Sequence, residues 1–359
     1  MSATPHVEIA GRPIGPGHPP YVIAEMSANH NGKLDTALAI VDAAADAGCD
    51  AIKMQTYRAD TITIDASGPG FDITEGPWKG RTLFQLYDDA HMPWDWHTPI
   101  MERAAARGLA AFSAPFDLTA VDFLNDLGAP AFKVASYEIV DLDLIGACAR
   151  TGKPLILSTG LASPEEVDEA VAAARENGCA HPIVLHCVSG YPTPYEEANL
   201  QRIAFLRDRL PGCLIGLSDH TPGAAIPAGA AALGAHVIEK HITLDRAGGG
   251  EDDFFSLEPA EMKQVVDQTR AVWAATRELS LTRAKSESQT AAGRRSLYVV
   301  KPVARGERFT RDNIRSIRPG HGLAPRHLEA VLGCVAARDC AWGEPLSQAM
   351  VEGFEDPRP

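Results

Sequence analysis

The chain of 359 residues has no C-x-x-C pair, no G-x-G-x-x-G behind its first apolar run and no excess of basic charge. It also lacks any apolar stretch near the roughly 18 residues needed to span a bilayer. Each absence removes a class of function. Seven cysteines, an odd number without paired spacing and without a signal-peptide pattern ahead of them, read as reduced and mostly buried thiols of a cytoplasmic protein. Without the glycine fingerprint, a doubly wound dinucleotide fold loses its phosphate-binding turn. A formal net charge of −14 makes nucleic acid and anionic membrane poor partners. An anionic small molecule is still compatible, provided that lysines are concentrated locally. No low-complexity tract interrupts the chain, and 45% hydrophobic with 22% charged residues is the composition of a globular protein.

What is present is a period. Short apolar runs with strand character recur at 21–27, 51–56, 110–115, 131–136, 154–159, 182–188, 214–220 and 237–243. Most are followed by an amphipathic helical pattern, such as LDTALAIVDAAADAG, or SPEEVDEAVAAARENG with its Ser-Pro-Glu-Glu start signal. Eight such units within about 260 residues predict a (β/α)8 TIM barrel over residues 1–280. The interval from Tyr57 to His91 exceeds an ordinary βα loop and is expected to lie over the barrel mouth. Residues 281–295 are small and polar and read as a linker. Residues 296–359 alternate apolar and polar with turn signals, predicting a small β-rich domain.

In a TIM barrel the polar residues that close each strand face the site. Here they include Glu25, Lys53 with Gln55, Ser113, Lys133 with Ser136, Ser158, Ser189, Ser218 with His220, and Lys240 with His241. Lys53 and Lys133 lie inside strand sequences, where a lysine is costly to bury without an anionic partner. Two such cations among serines form a site for phosphate or carboxylate. The alternative is that each lysine pairs with a neighbouring carboxylate as a structural ion pair. His220 and His241 end runs that are separated by one helix-length of alanine-rich chain, so they stand side by side at the C-terminal edge of a parallel sheet. Two imidazoles leave most of a metal's coordination sphere open, as at a catalytic rather than a structural centre. Satisfied hydrogen-bonding histidines are the competing reading. Asp252, in the loop GGGEDDFFS beside Gly248–Gly250, is a candidate base or water-binding group. His186 reads as core.

IAEMSANHNG, AIKMQTY, FKVAS, LSTG, YPTPYEEANL, GLSDHT and IEKH follow one another in an order that resembles the sialic acid synthase family. Its members condense phosphoenolpyruvate with an acylated amino sugar. The tail SLYVVKPVARGE…IRPGHG resembles the antifreeze-like SAF domain that the family attaches to its barrel. Trp78–His97 and RRSLYVVK are more similar to the pseudaminic acid branch than to the neuraminic acid branch. The resemblance implies that His220 and His241 hold a divalent metal, manganese or magnesium. It implies that Lys53, Lys133, Ser136, Ser158, Ser189 and Ser218 hold the phosphate and carboxylate of phosphoenolpyruvate. Glu25, Gln55, Glu138, Tyr191 and Asp252 fall on active-site polar positions. Arg318 matches an arginine that reaches the neighbouring subunit's sugar, which implies a domain-swapped homodimer. Two departures, Ala114 for a threonine and Ser189 for an asparagine, point away from N-acetylmannosamine as the acceptor.

The rival readings are an aldolase forming a Schiff base through Lys133, a non-catalytic sugar-binding protein, and synthases of neuraminic or legionaminic acid.

Overall fold

The computed structural model describes residues 6–355 except 77, 289, 291 and 292. Part of the 281–295 linker and the last four residues of the predicted C-terminal domain thus lie outside the described residues. The break between two compact units falls between Glu278 and Leu279.

The first unit opens with an antiparallel hairpin, β1 (Val7–Ile9) and β2 (Arg12–Ile14). Ala10 and Gly11 both take positive φ, the primed turn geometry that suits a two-residue hairpin. Eight parallel strands follow: β3 (Tyr21–Glu25), β4 (Ala51–Thr56), β5 (Ala110–Pro115), β6 (Phe132–Val134), β7 (Leu155–Ser158), β8 (Ile183–Cys187), β9 (Leu214–Asp219) and β10 (Val237–His241). They close into a barrel in which β10 pairs with β3. Helices such as α1 (Leu34–Ala47) connect them. This is the TIM barrel that the strand–helix period predicts.

Strand alternation sorts the core into two layers. Inside the barrel, Ile23, Ala51, Phe112, Ile156, Ile183, Leu185 and Val237 pack with Ile9 and Ile14 of the hairpin. Between the barrel and the helices a larger cluster includes Ile52, Met54, Val134, Leu157, Ile215 and Ile238. Apolar side chains thus fill the lower barrel, and polar groups collect at the other end, where the strands finish.

The second unit pairs β11 (Ser296–Val299) antiparallel with β12 (Ile314–Ile317), aligning Leu297 with Ser316. Leu297, Val299, Phe309, Ile314, Val331 and Leu346 form its own core. Among the described residues no helix is long and apolar enough to cross a membrane. All seven cysteines are free; Cys179 and Cys334 are half-buried and the others buried.

Candidate active site

The strand ends surround a cavity of about 560 Å³ at the mouth of the barrel. Parity decides which strand-end residues reach it. On β10, Glu239 and His241 share the face that looks into the barrel, and Ser218 and His220 do the same on and just after β9. Lys240 and Asp219 take the opposite parity and pair with each other, Lys240 Nζ donating to Asp219 Oδ2 at 2.8 Å. That pair is buried and lies outside the cavity lining.

The lysines on the cavity floor are both engaged. Lys133 Nζ donates to Glu239 Oε1 at 2.8 Å and to Oε2 at 3.0 Å. Lys53 Nζ lies 2.8 Å from Glu25 Oε2 and 3.3 Å from Glu239 Oε1. Ser218 Oγ adds a bond to Glu239 Oε1 at 3.1 Å. The neighbouring-carboxylate reading of the lysines is therefore the arrangement observed. It does not remove them from the site, because both still line the cavity. Burial works against charge on Glu239, but Lys133 and Lys53 hold its carboxyl well below the usual range. Glu25 is the counterweight: burial pushes it up to about 7 against the pull of Lys53. It sits beneath the cavity, accepting from Gln55 Nε2 at 3.0 Å and from the Ser27 backbone N–H at 3.2 Å.

The histidines stand together, their ring centroids 5.3 Å apart. His220 Nδ1 lies 2.8 Å from the Val188 carbonyl oxygen; as donor there it leaves Nε2 with a free lone pair. His241 Nδ1 is buried without a partner. Burial pushes His220 down to about 4 and His241 well below its ordinary value, so both are neutral. Neutral imidazoles, one oriented by a backbone carbonyl, are the form in which histidine binds a metal. Among the described residues no group of three or more His, Cys, Asp or Glu is arranged to hold a metal ion. A metal held here would have these two imidazoles as its protein ligands and its other positions open.

The Tyr191 ring lies tilted against His220 with centroids 4.3 Å apart, and Phe255 packs 4.9 Å from His241. Asp252 lines the cavity, accepts from Ser27 Oγ, and is pushed up to about 6 by burial. Glu138 is likewise pushed up to about 7, and its Oε2 has no partner. Ser158 Oγ is buried and unpartnered. Ser136 Oγ and Ser189 Oγ are 3.0 Å apart. Beside them a Cβ on Gly160, at φ +48°, would sit 2.3 Å from Ser136 Cβ, so only glycine lets the chain pass so close.

One expected site residue, Ser113, is turned away from the cavity. Ser113 has the wrong parity: Phe112 points into the barrel, and Ser113 points outward to bond Thr56 Oγ1 at 2.6 Å, which also meets His97 Nε2 at 2.7 Å. Arg318, expected to serve a neighbouring subunit, is exposed on the second unit. Sequence reasoning missed Glu239, Ser27, Gly160 and Glu251. Glu239 was within reach, since it lies two residues before His241 and so on the same strand face.

The long interval after β4 does cover the cavity. Its helices α2 (Ala59–Ile62) and α3 (Leu83–Ala90) flank the segment from which Ile73 and Trp78 reach the lining. Arg81 ties this excursion to the loop after β10 through Glu251 and holds Asp89 at 2.5 Å.

The chain is similar to known proteins over most of its length. A pseudaminic acid synthase of Campylobacter jejuni is 39% identical over 328 residues, 91% of this chain and 95% of that protein. One from Helicobacter pylori is 37% identical over 93% of this chain and 98% of its own length. The crystal structure of an N-acetylneuraminic acid synthetase from Leptospira borgpetersenii, in complex with citrate, superposes with a TM-score of 0.71. It is 32% identical, covering 80% of this chain and 95% of that one. Residues 294–352 match the SAF domain and residues 40–280 match the NeuB family. With a barrel whose mouth joins two neutral histidines to a lysine–glutamate cluster, the chain belongs to the NeuB family.

Proposed function

We propose that the chain condenses phosphoenolpyruvate with 2,4-diacetamido-2,4,6-trideoxy-L-altrose and water, giving pseudaminic acid and inorganic phosphate. The observation that carries this reading is one cavity in which two lysines, a set of serine hydroxyls and a pair of neutral imidazoles face the same space. A phosphorylated carboxylate needs the first two groups, and an aldehyde acceptor is served by the third. The C. jejuni and H. pylori relatives support the choice of product.

In this reading Lys53 and Lys133 bind the anions of phosphoenolpyruvate, with Ser136, Ser158, Ser189 and Ser218 as hydroxyl donors. Glu239 keeps the two ammonium groups apart and correctly aimed. His220 and His241 would hold a divalent ion, manganese or magnesium, which supplies electrophilic polarisation of an aldehyde oxygen. The enol carbon of phosphoenolpyruvate bonds to the aldehyde carbon, and water adds to the carbon that carries phosphate. The adduct then breaks its C–O bond to phosphate and becomes the 2-keto product. Glu138 Oε2 and the Asp252 carboxyl, both lifted toward neutral pH, can hold or pass the protons of these steps. Tyr191 and Phe255 pack around the histidines and exclude water. Most of the rate then comes from positioning and electrostatics.

The proposed setting is the cytoplasm. The proposed assembly is a homodimer with exchanged C-terminal units, in which Arg318 serves the partner's sugar. The domain limits proposed are 1–280, 281–295 and 296–359.

The test incubates the protein with phosphoenolpyruvate, Mn2+ or Mg2+, and each of three sugars: the altrose-configured diacetamido sugar, its mannose-configured analogue, and N-acetylmannosamine. Phosphate release and product mass are followed, with borohydride in a parallel sample. Fastest turnover of the altrose sugar, loss of turnover with chelator and no trapped adduct are expected. Preference for either of the other sugars overturns the acceptor, and a borohydride-trapped lysine overturns the chemistry.

A further inference from the structure

The cavity has two unlike halves. Its floor is the charged and hydroxylated strand ends; the wall raised over it by the 57–92 excursion is aliphatic. Ile62, Ile73, Leu83 and Leu86 line that wall, continued by Phe116 beyond β5. Leu86 is buried in this position. Among the described lining residues of the excursion, the side-chain hydrogen-bonding atoms are the hydroxyls of Tyr57 and Tyr87 and the indole N–H of Trp78. Tyr57 is directed onto Tyr87 and Phe116 at ring distances of 5.9 and 5.2 Å. Trp78 packs edge-on to Phe254. These rings thus extend the apolar surface more than they interrupt it.

The placement gives this wall something to read. An open-chain acceptor bonds at its aldehyde end on the floor, so the carbons farthest from the aldehyde run toward the mouth and meet the excursion. A methyl end buries favourably there, whereas a hydroxymethyl end set against Ile73 and Leu86 loses water where those side chains offer it no partner.

We propose that the aliphatic wall of the excursion is a specificity determinant, selecting a 6-deoxy, methyl-terminated acceptor over its 6-hydroxy counterpart. The inference rests on the proposed synthase reading of the same cavity. Leu86 and Ile73 carry the discrimination, Leu86 from the buried helix face and Ile73 from the segment before the helix.

The test measures kcat/KM for two acceptors that differ only at C6: 2,4-diacetamido-2,4,6-trideoxy-L-altrose and the same sugar bearing a 6-hydroxyl. Apolar pockets discriminate modestly against an added hydroxyl, so the wild type should favour the deoxy sugar by about 10- to 100-fold. In Leu86→Asn the ratio should narrow by about tenfold, through KM for the sugar with KM for phosphoenolpyruvate unchanged. Ile73→Thr, a gentler change on a less buried residue, should shift the ratio in the same direction. Equal wild-type use of both sugars, or a ratio unmoved in both variants, overturns the proposal. If neither altrose sugar releases phosphate, the synthase reading has the wrong acceptor. The wall is then read with N-acetylmannosamine and its 6-deoxy analogue: preference for the deoxy form supports it, and equal use overturns it.

Discussion

Glu239 accepts from Lys133 through both carboxylate oxygens and has Lys53 within 3.3 Å, so one buried anion balances two buried cations. Glu25 helps only in part, because its own burial lifts it to about 7. Neutralising Glu239 therefore leaves one ammonium group without an anion in a dry site. Breaking a buried pair from one side typically costs about 3–5 kcal/mol. Glu239→Gln is expected to lose about that much in urea unfolding, and Glu239→Gln combined with Lys133→Met should recover a large part of it. A single variant as stable as wild type would mean the cluster is well solvated. Glu138 makes a different prediction, one in pH. Its folded value, about 7, lies above the ordinary 4.5, so between those values the folded state holds a proton that the unfolded chain releases. Its contribution to stability is complete below pH 4.5 and is lost as pH rises through 7. Glu138→Gln should remove up to about one proton from the slope of stability against pH in that window. An unchanged slope would show that Glu138 is an ordinary exposed carboxylate.

At the scale of elements, the strand–helix period was legible because hydrophobic spacing is a local property that barrel closure does not alter. Partnership was less legible. Lys133 and Glu239 are 106 residues apart, and only the eight-strand closure brings β6 to face β10 across the mouth. Ser113 shows a second limit. In AAFSAP every residue is apolar or small, so the run does not reveal which parity faces inward; Phe112, Ile23 and Val237 filling the same interior decide it. The hairpin β1–β2 was missed because its two strands are three residues each, too short for a periodicity signal. The excursion was legible as an excess of length, and its wall was not, since its lining comes from two short helices and the segment between them. His220 and His241 were readable as neighbours, whereas the Val188 carbonyl that orients His220 comes from just beyond a third strand, β8.

At the scale of the whole molecule, the charge is unevenly divided. Residues 279–359 carry 13 Lys and Arg against 9 Asp and Glu, while the rest of the chain carries 20 against 38. A mildly basic unit and a strongly acidic one in the same chain attract across copies as well as within one, and attraction of this kind weakens with salt. In the exchanged dimer proposed above, each C-terminal unit would complete the other subunit's site. Symmetry then gives a test that does not depend on locating the contact. In that reading a His241→Ala subunit lacks a proposed metal ligand but keeps Arg318, and an Arg318→Ala subunit keeps the histidines but cannot serve its partner. Each homodimer should be nearly inactive. Refolded together in equal amounts, half the dimers are mixed, and in each of these one barrel has both its own histidines and the partner's arginine. Recovery of about a quarter of wild-type phosphate release is expected, appearing only after subunits exchange. If Arg318 served its own barrel, each mixed dimer would hold one site damaged at each position, and mixing would restore nothing.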